Sequence, residues 1–261
     1  MRRRYRPGDH RRRTGGSRRM DMTAPKKILL VNGCSHTAGS EIDTLGVAPH
    51  GYSPEKAFGA HLANAMGCDD YVNIAMPGGS NERITRTTID WIGKYHKPAD
   101  QLFVVIMWTG RDRFELYDDR NRIWLSLCPG VERSRWFADF TYAVQQYFKF
   151  HMLVRTSDVQ TYSRLWAEVI MMQSYLKINH INYMFCNAYQ GLPETLDYAG
   201  FRSQVDLAAY YQPFEDSTGF VQILTQQGFK TRAGDNVHFG EDGHRYWAGV
   251  LHAFIQDRRL A

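Results

Sequence analysis

Four short polar clusters in this chain carry residues able to do acyl-transfer chemistry. Asn32-Gly33-Cys34-Ser35-His36-Thr37, Pro77-Gly78-Gly79-Ser80-Asn81 and Thr109-Gly110-Arg111-Asp112-Arg113 each follow an apolar stretch, and Gly234-Asp235-Asn236-Val237-His238 precedes the last helical pattern. A serine just past a strand, where a helix can start, has its hydroxyl near free backbone N–H groups and the positive end of a helix dipole. Both favour a developing oxyanion. The plainer role for Ser35 is a helix N-cap. A carboxylate three residues before a histidine can accept the imidazole Nδ1–H in a tight turn, which leaves Nε2 free to take a serine proton. Gly234 and Gly240 allow that turn at Asp235 and His238. Two alternatives stand beside it: an Asx turn at Asp235 with His238 on the surface, or a metal cluster of Glu241, Asp242 and His244. The acids of that cluster read better as first-turn helix charges.

These clusters are far apart in sequence and need a fold that gathers them. Ile28–Val31, Leu102–Met107 and Ile181–Phe185 are short and fully apolar, and a weaker stretch spans Tyr71–Ala75. Continuous apolarity predicts strands of a parallel sheet covered on both faces. Helical patterns lie between them. Ser53-Pro54-Glu55 opens one, with Pro54 at its first position. Ser80 caps another running toward Lys94, and further helices are expected over Trp136–His151, Tyr162–Lys177 and Glu241–Arg258. Strands alternating with helices imply a doubly wound α/β sheet with right-handed crossovers. In such a sheet the loops leaving the carboxyl ends of the strands share one edge, where ligands bind. All four clusters fall on such loops or just before the last helix.

With that order on the page, the chain resembles the SGNH/GDSL hydrolase family. Gly33-Cys34-Ser35 is similar to its GDS block, with cysteine in place of aspartate. Asn73-x-x-x-x-Gly78 resembles its second block, Gly110-x-Asp112 stands where the family has Gly-x-Asn, and Asp235-x-x-His238 followed by Gly243-His244 resembles its closing block. The blocks occur in family order over residues 28–258. The resemblance implies a flavodoxin-like three-layer α/β/α fold and hydrolysis of esters, thioesters or O-acetyl groups without metal or cofactor. Ser35 would be the nucleophile, with His238 and Asp235 completing the triad and the N–H groups of Ser35 and Gly78 forming the oxyanion hole. Asp112 departs from the pattern, because an ionised carboxylate has no proton to donate to an oxyanion. Asn81 or Asn32 could supply the missing donor, Arg111 or Arg113 could hold Asp112 structurally, or the site could bind without turnover. His36 is expected as a wall of the site, and Cys34 is expected to point away from it.

The remaining features bound the setting. Residues 113–160 fit the alternation poorly and read as an insertion rich in aromatics and arginine. It is either a helical pair packed on the sheet, or a lid, substrate wall or assembly surface. Residues 1–20 hold nine arginines against one acid, a local net charge of +8; since the whole chain is +5, the rest sums to −3. The basic character thus belongs to an arm, residues 1–25, and the domain spans 26–261. The arm has too few apolar residues to fold, and no apolar segment follows it as in a secretory signal. It reads as a solvated tail, a weak polyanion contact, or sequence ahead of a start at Met20 or Met22. Four scattered cysteines without a CxxC pair fit a reducing compartment, with the cytoplasm as default. The longest apolar run, Leu102 to Trp108, is too short to span a bilayer. The expected substrate is a small-molecule or carbohydrate acyl ester; the aromatic insertion could stack on sugar rings, and core packing explains most of its aromatics equally well.

Overall fold

A computed structural model describes residues 24–43, 51–133, 135–154, 157–189, 191–193, 195, 198–214, 217–231 and 237–261. The arginine arm of residues 1–20 and Asp235 lie outside the described residues. In chain order, β1 (Lys27–Asn32) runs into α1 (Ser35–Ala38), followed by α2 (Phe58–Met66), β2 (Asp70–Asn73), α3 (Asn81–Tyr95) and β3 (Gln101–Trp108). A hairpin of β4 (Phe114–Asp118) and β5 (Ile123–Leu127) comes next, then α4 (Tyr142–Val154), α5 (Asp158–Ile178) and β6 (Asn182–Asn187). The chain closes with α6 (Ala199–Arg202), α7 (Phe220–Gln226) and α8 (Glu241–Arg258).

The central sheet has the order β2-β1-β3-β6 and every pairing in it is parallel. Its four strands are those the apolar runs predict, with ends shifted by one or two residues. Alternate residues of each strand enter different cores, as the two-residue period of a strand requires. Ile28, Leu30, Val104, Ile106, Trp108 and Phe185 pack on one face against Ile84 of α3 and Trp166, Val169 and Met172 of α5. Leu29, Val31, Phe103, Val105, Met107 and Met184 pack on the other against Leu62 of α2, Phe220 of α7 and Trp247 and Leu251 of α8. The molecule is therefore a three-layer α/β/α fold. The chain leaves β1 toward β2 on one side and β3 on the other, so the crevice above β1 and β3 is the topological switch point where such sheets bind ligands.

Three local expectations are corrected. Pro54 does open a helical turn, but it is a 3-10 turn over Pro54–Lys56, and α2 begins only at Phe58. The helix expected from Trp136 starts at Tyr142, preceded by a 3-10 turn over Arg135–Asp139. The 113–160 insertion is not a helical pair. It is an antiparallel hairpin plus one helix, folded around a small core of its own that includes Phe114, Leu127, Phe137 and Phe148. The alternation of Phe114, Leu116 and Leu125, Leu127 is a strand pattern five residues long, which the aromatic content masked. Among the described residues no helix is long and apolar enough to cross a membrane.

Candidate active site

The first cluster sits where the switch point predicts. β1 ends at Asn32, Cys34 is the N-cap of α1 with no side-chain cap bond, and Ser35 is the first helical residue. Ser35 is thus not an N-cap, and its hydroxyl is free of that plainer role. Gly33 makes the turn possible: a Cβ there would come 2.0 Å from Thr37 Oγ1 and 3.0 Å from the Met107 carbonyl oxygen. Cys34 is fully buried, with its side chain in the core under α2 and α8. Ser35 is itself only 7% exposed.

The second cluster closes over the first. Met76 N–H donates to the Gly33 carbonyl (3.3 Å), and Gly79 N–H donates back to Met76 (3.0 Å). Gly78 has φ +73°, a left-handed conformation that a side chain would strain. Neither the Ser35 nor the Gly78 backbone N–H meets an acceptor among the described residues. Asn73 anchors this loop, donating from Nδ2 to the Thr37 carbonyl (2.8 Å) and accepting the Ala75 N–H (3.0 Å). Ser80 caps α3 as expected, its Oγ accepting the Arg83 N–H at 3.2 Å.

The two asparagines considered as substitute oxyanion donors are committed elsewhere. Asn32 Nδ2 donates to the Ile84 carbonyl (3.0 Å) and to the hydroxyls of Thr87 and Thr88 (2.9 Å each). Asn81 forms a two-way bridge to Thr109, donating to its carbonyl (3.1 Å) and accepting its N–H (2.9 Å). Both tie α3 to the sheet edge. Asp112 lies 3.9 Å from Arg111 Nε, and Arg111 in turn pairs with Asp158 at 2.6 Å and lies over the Tyr162 ring. No donor stands at position 112.

His238, from the far end of the chain, reaches the same rim. Its ring centre lies 5.1 Å from that of His36, the residue after Ser35. The carboxylate of Glu41 lies 3.8 Å from His238 Nδ1. Glu41 has φ +62°, in a region that non-glycine residues seldom adopt. The sequence carries no signal for Glu41; only the return of the α1 loop brings it there. His36 is buried and packs against the rings of Tyr189 and Phe220, with ring centres 5.3 and 5.1 Å away.

Tyr189 is the other residue missed in sequence. Its hydroxyl lies 3.2 Å from His36 Nε2 and accepts a bond from Arg113 Nη2 at 3.1 Å. Burial pushes its ionisation well above the usual phenol range, against the pull of Arg113, so it remains a protonated hydroxyl. Tyr189 and Arg113 also line a cavity of about 430 Å³ between the loops after β3 and β6 and the start of α5. Neither Ser35 nor His238 lines that cavity, so Tyr189 is what joins it to the histidine pair.

His244 is structural. It is 1% exposed, and its Nδ1 accepts the Phe58 N–H at 3.2 Å, joining α8 to the start of α2. Burial lowers its pKa to about 3, helped by His61 and His238, so the ring is neutral. Glu241 pairs with Arg245 at 2.9 Å and His61 at 3.6 Å. The cluster of Glu241, Asp242 and His244 does not gather around a metal position: the His244 Nδ1 lone pair is occupied, and the acids occupy the first turn of α8.

A family model described as a family of unknown function, DUF6071, matches residues 43–261, beginning past Ser35. No curated protein matches the sequence. Among solved structures, a carbohydrate esterase, whose active site is described as displaying divergent catalytic and non-catalytic binding functions, is 14% identical with a TM-score of 0.50. The match covers 90% of this chain and 70% of that one. A family two carbohydrate esterase from Clostridium thermocellum, solved with cellohexaose, is 15% identical at a TM-score of 0.49, over 90% of this chain and 65% of that one. TesA is 12% identical at 0.48, over 89% and 99%. At 14% identity and a TM-score of 0.50, the likeness to the first of these is one of fold alone.

Proposed function

The chain belongs to the DUF6071 family, a family of unknown function, and for it we propose a serine hydrolase that cleaves an ester of a small molecule or carbohydrate, either a carboxylic ester or an O-acetyl group. One observation carries the reading: Ser35 opens a helix at the switch point, and the His238 ring packs 5.1 Å from that of its neighbour His36. In this reading Ser35 Oγ attacks the acyl carbonyl while His238 takes its proton. The tetrahedral oxyanion is held by the N–H groups of Ser35 and Gly78, neither of which meets an acceptor among the described residues. His238 returns the proton to the leaving alcohol, then activates water to release the acid. Asp235, three residues ahead of His238, orients the imidazole; Glu41, 3.8 Å from Nδ1, is a second carboxylate able to stabilise the imidazolium.

The test is hydrolysis of p-nitrophenyl acetate by purified protein. Ser35→Ala and His238→Ala should each abolish it, and a serine-directed organophosphonate should label Ser35 stoichiometrically. Equal rates for wild type and Ser35→Ala would reject the reading. Asp235→Asn should cost more activity than Glu41→Gln; the reverse order would transfer the orienting role to Glu41.

Position 112 favours a second reading, a protein of this fold that binds an ester without turning it over. Losing one oxyanion donor costs on the order of 10²–10³ in rate, and Asp112 supplies none. Intact ligand binding with no organophosphonate labelling of Ser35 would select this reading over the first.

A further inference from the structure

Arg113 carries a charge that no carboxylate among the described residues answers. Its guanidinium donates to the Gly79 carbonyl (Nη1, 3.5 Å) and the Tyr189 hydroxyl (Nη2, 3.1 Å), and it stands 5.7 Å from the Tyr189 ring centre. Both partners are neutral. Among the described residues no carboxylate pairs with it. Its neighbours differ: Arg86 pairs with Glu115, Arg111 with Asp158 and Arg164 with Glu82. Arg83 also lacks a carboxylate, but it clasps the Ile74 carbonyl and does not line the cavity.

Two guanidiniums, Arg111 and Arg113, line the cavity. Arg111 is paired with Asp158 and stands beside Asp112, which leaves Arg113 as the lining guanidinium without a carboxylate among the described residues. A guanidinium has five N–H donors, and among the described residues those of Arg113 meet two acceptors. A charge held in a partly desolvated wall without a counterion is costly. A planar fork in that position is suited to a carboxylate or phosphate. Tyr189 couples this wall to His36, and His36 touches His238. The volume of about 430 Å³ suits a small organic ligand, for which pockets run roughly 300–1,000 Å³.

We propose that this cavity receives the anionic end of the substrate, a carboxylate or phosphate group, on Arg113. The hydrolase would then act on small esters whose acyl or alcohol part is negatively charged. This rests on the serine-hydrolase reading for the reaction, but not for the anion site.

Calorimetry with succinate and with inorganic phosphate, on wild type, Ser35→Ala and Arg113→Gln, tests the site directly. Wild type and Ser35→Ala should bind at least one of the two anions equally well, and Arg113→Gln should bind it about tenfold to a hundredfold more weakly. Which anion binds identifies the group. Phenylglyoxal modification of wild type, read by mass spectrometry, needs no variant: the same anion should protect Arg113. Binding that does not change in Arg113→Gln, or absence of both binding and protection, overturns the proposal. The matched esters p-nitrophenyl acetate and mono-p-nitrophenyl succinate separate it from the hydrolase reading. Anion binding without cleavage of either ester sinks the hydrolase reading and leaves the site standing. Cleavage of both without anion binding does the opposite.

Discussion

The central sheet and the hairpin-and-helix segment of residues 114–154 bury their apolar side chains in different ways. Each sheet strand feeds two cores at once, so β1 and β3 are covered by α3 and α5 on one face and by α2, α7 and α8 on the other. The 114–154 segment has one small core of its own, centred on Phe114, Phe137 and Phe148. It is fastened to the body by polar bonds: Arg86 grips Glu115 with two bonds of 2.7 and 2.8 Å, and Glu82 accepts the Glu115 N–H at 3.2 Å. Arg164 adds bonds to the carbonyls of Arg111 and Arg113. A rim carried on the sheet is therefore held by the global fold. The wall of the cavity that follows β3 and β5 is held by an attachment that can yield on its own.

Substitutions in the two regions should separate these regimes. Trp247→Ala removes a fully buried side chain from the core under α8 and should cost about 3–5 kcal/mol of global stability in denaturant unfolding. Phe148→Ala should cost about 3 kcal/mol, concentrated in its own small core. Amide exchange over 114–154 should quicken while the amides of β1 and β3 keep their protection. Equal loss of protection in both regions would mean one cooperative unit and would break the comparison.

Arg86→Met leaves the Glu115 carboxylate, 5% exposed, without its guanidinium. A loss of about 1–3 kcal/mol should appear chiefly as opening of the hairpin. The last effect develops only in acid. The His244 pKa is lowered to about 3 in the fold, against an ordinary value of 6.5. Between those values the unfolded chain binds the extra proton, so stability is fully present above pH 6.5 and falls as pH drops toward about 3. His244→Asn, which keeps an acceptor for the Phe58 N–H, should flatten that decline; an unchanged slope would place the acid sensitivity elsewhere.

The difference between the two regions also explains what could be read in advance. Strands buried on both faces are written as uninterrupted apolar runs, so β1, β3 and β6 were plain from residues 28–31, 102–107 and 181–185. The hairpin's short alternation of apolar and polar residues, mixed with arginines and aromatics, resembles an amphipathic helix as much as a strand. The positions of Ser35 and His238 were legible because a strand end before a helix, and a histidine ahead of the last helical pattern, are local features. The contacts of Glu41, Tyr189 and Arg113 were not, because each depends on a partner that no sequence spacing announces.

Local sequence thus determined the alternation of strands and helices, the serine at the end of β1 and the histidine before α8, since hydrophobic period and turn chemistry act over a few residues. Tertiary structure alone decided that His36 and His238 pack together, that Asn32 and Asn81 are used in tying α3 to the sheet, and that Arg113 lines a cavity with no carboxylate partner among the described residues. Contacts between distant segments depend on how layers pack and which charges end up beside one another, and neither is encoded by residues adjacent in the chain.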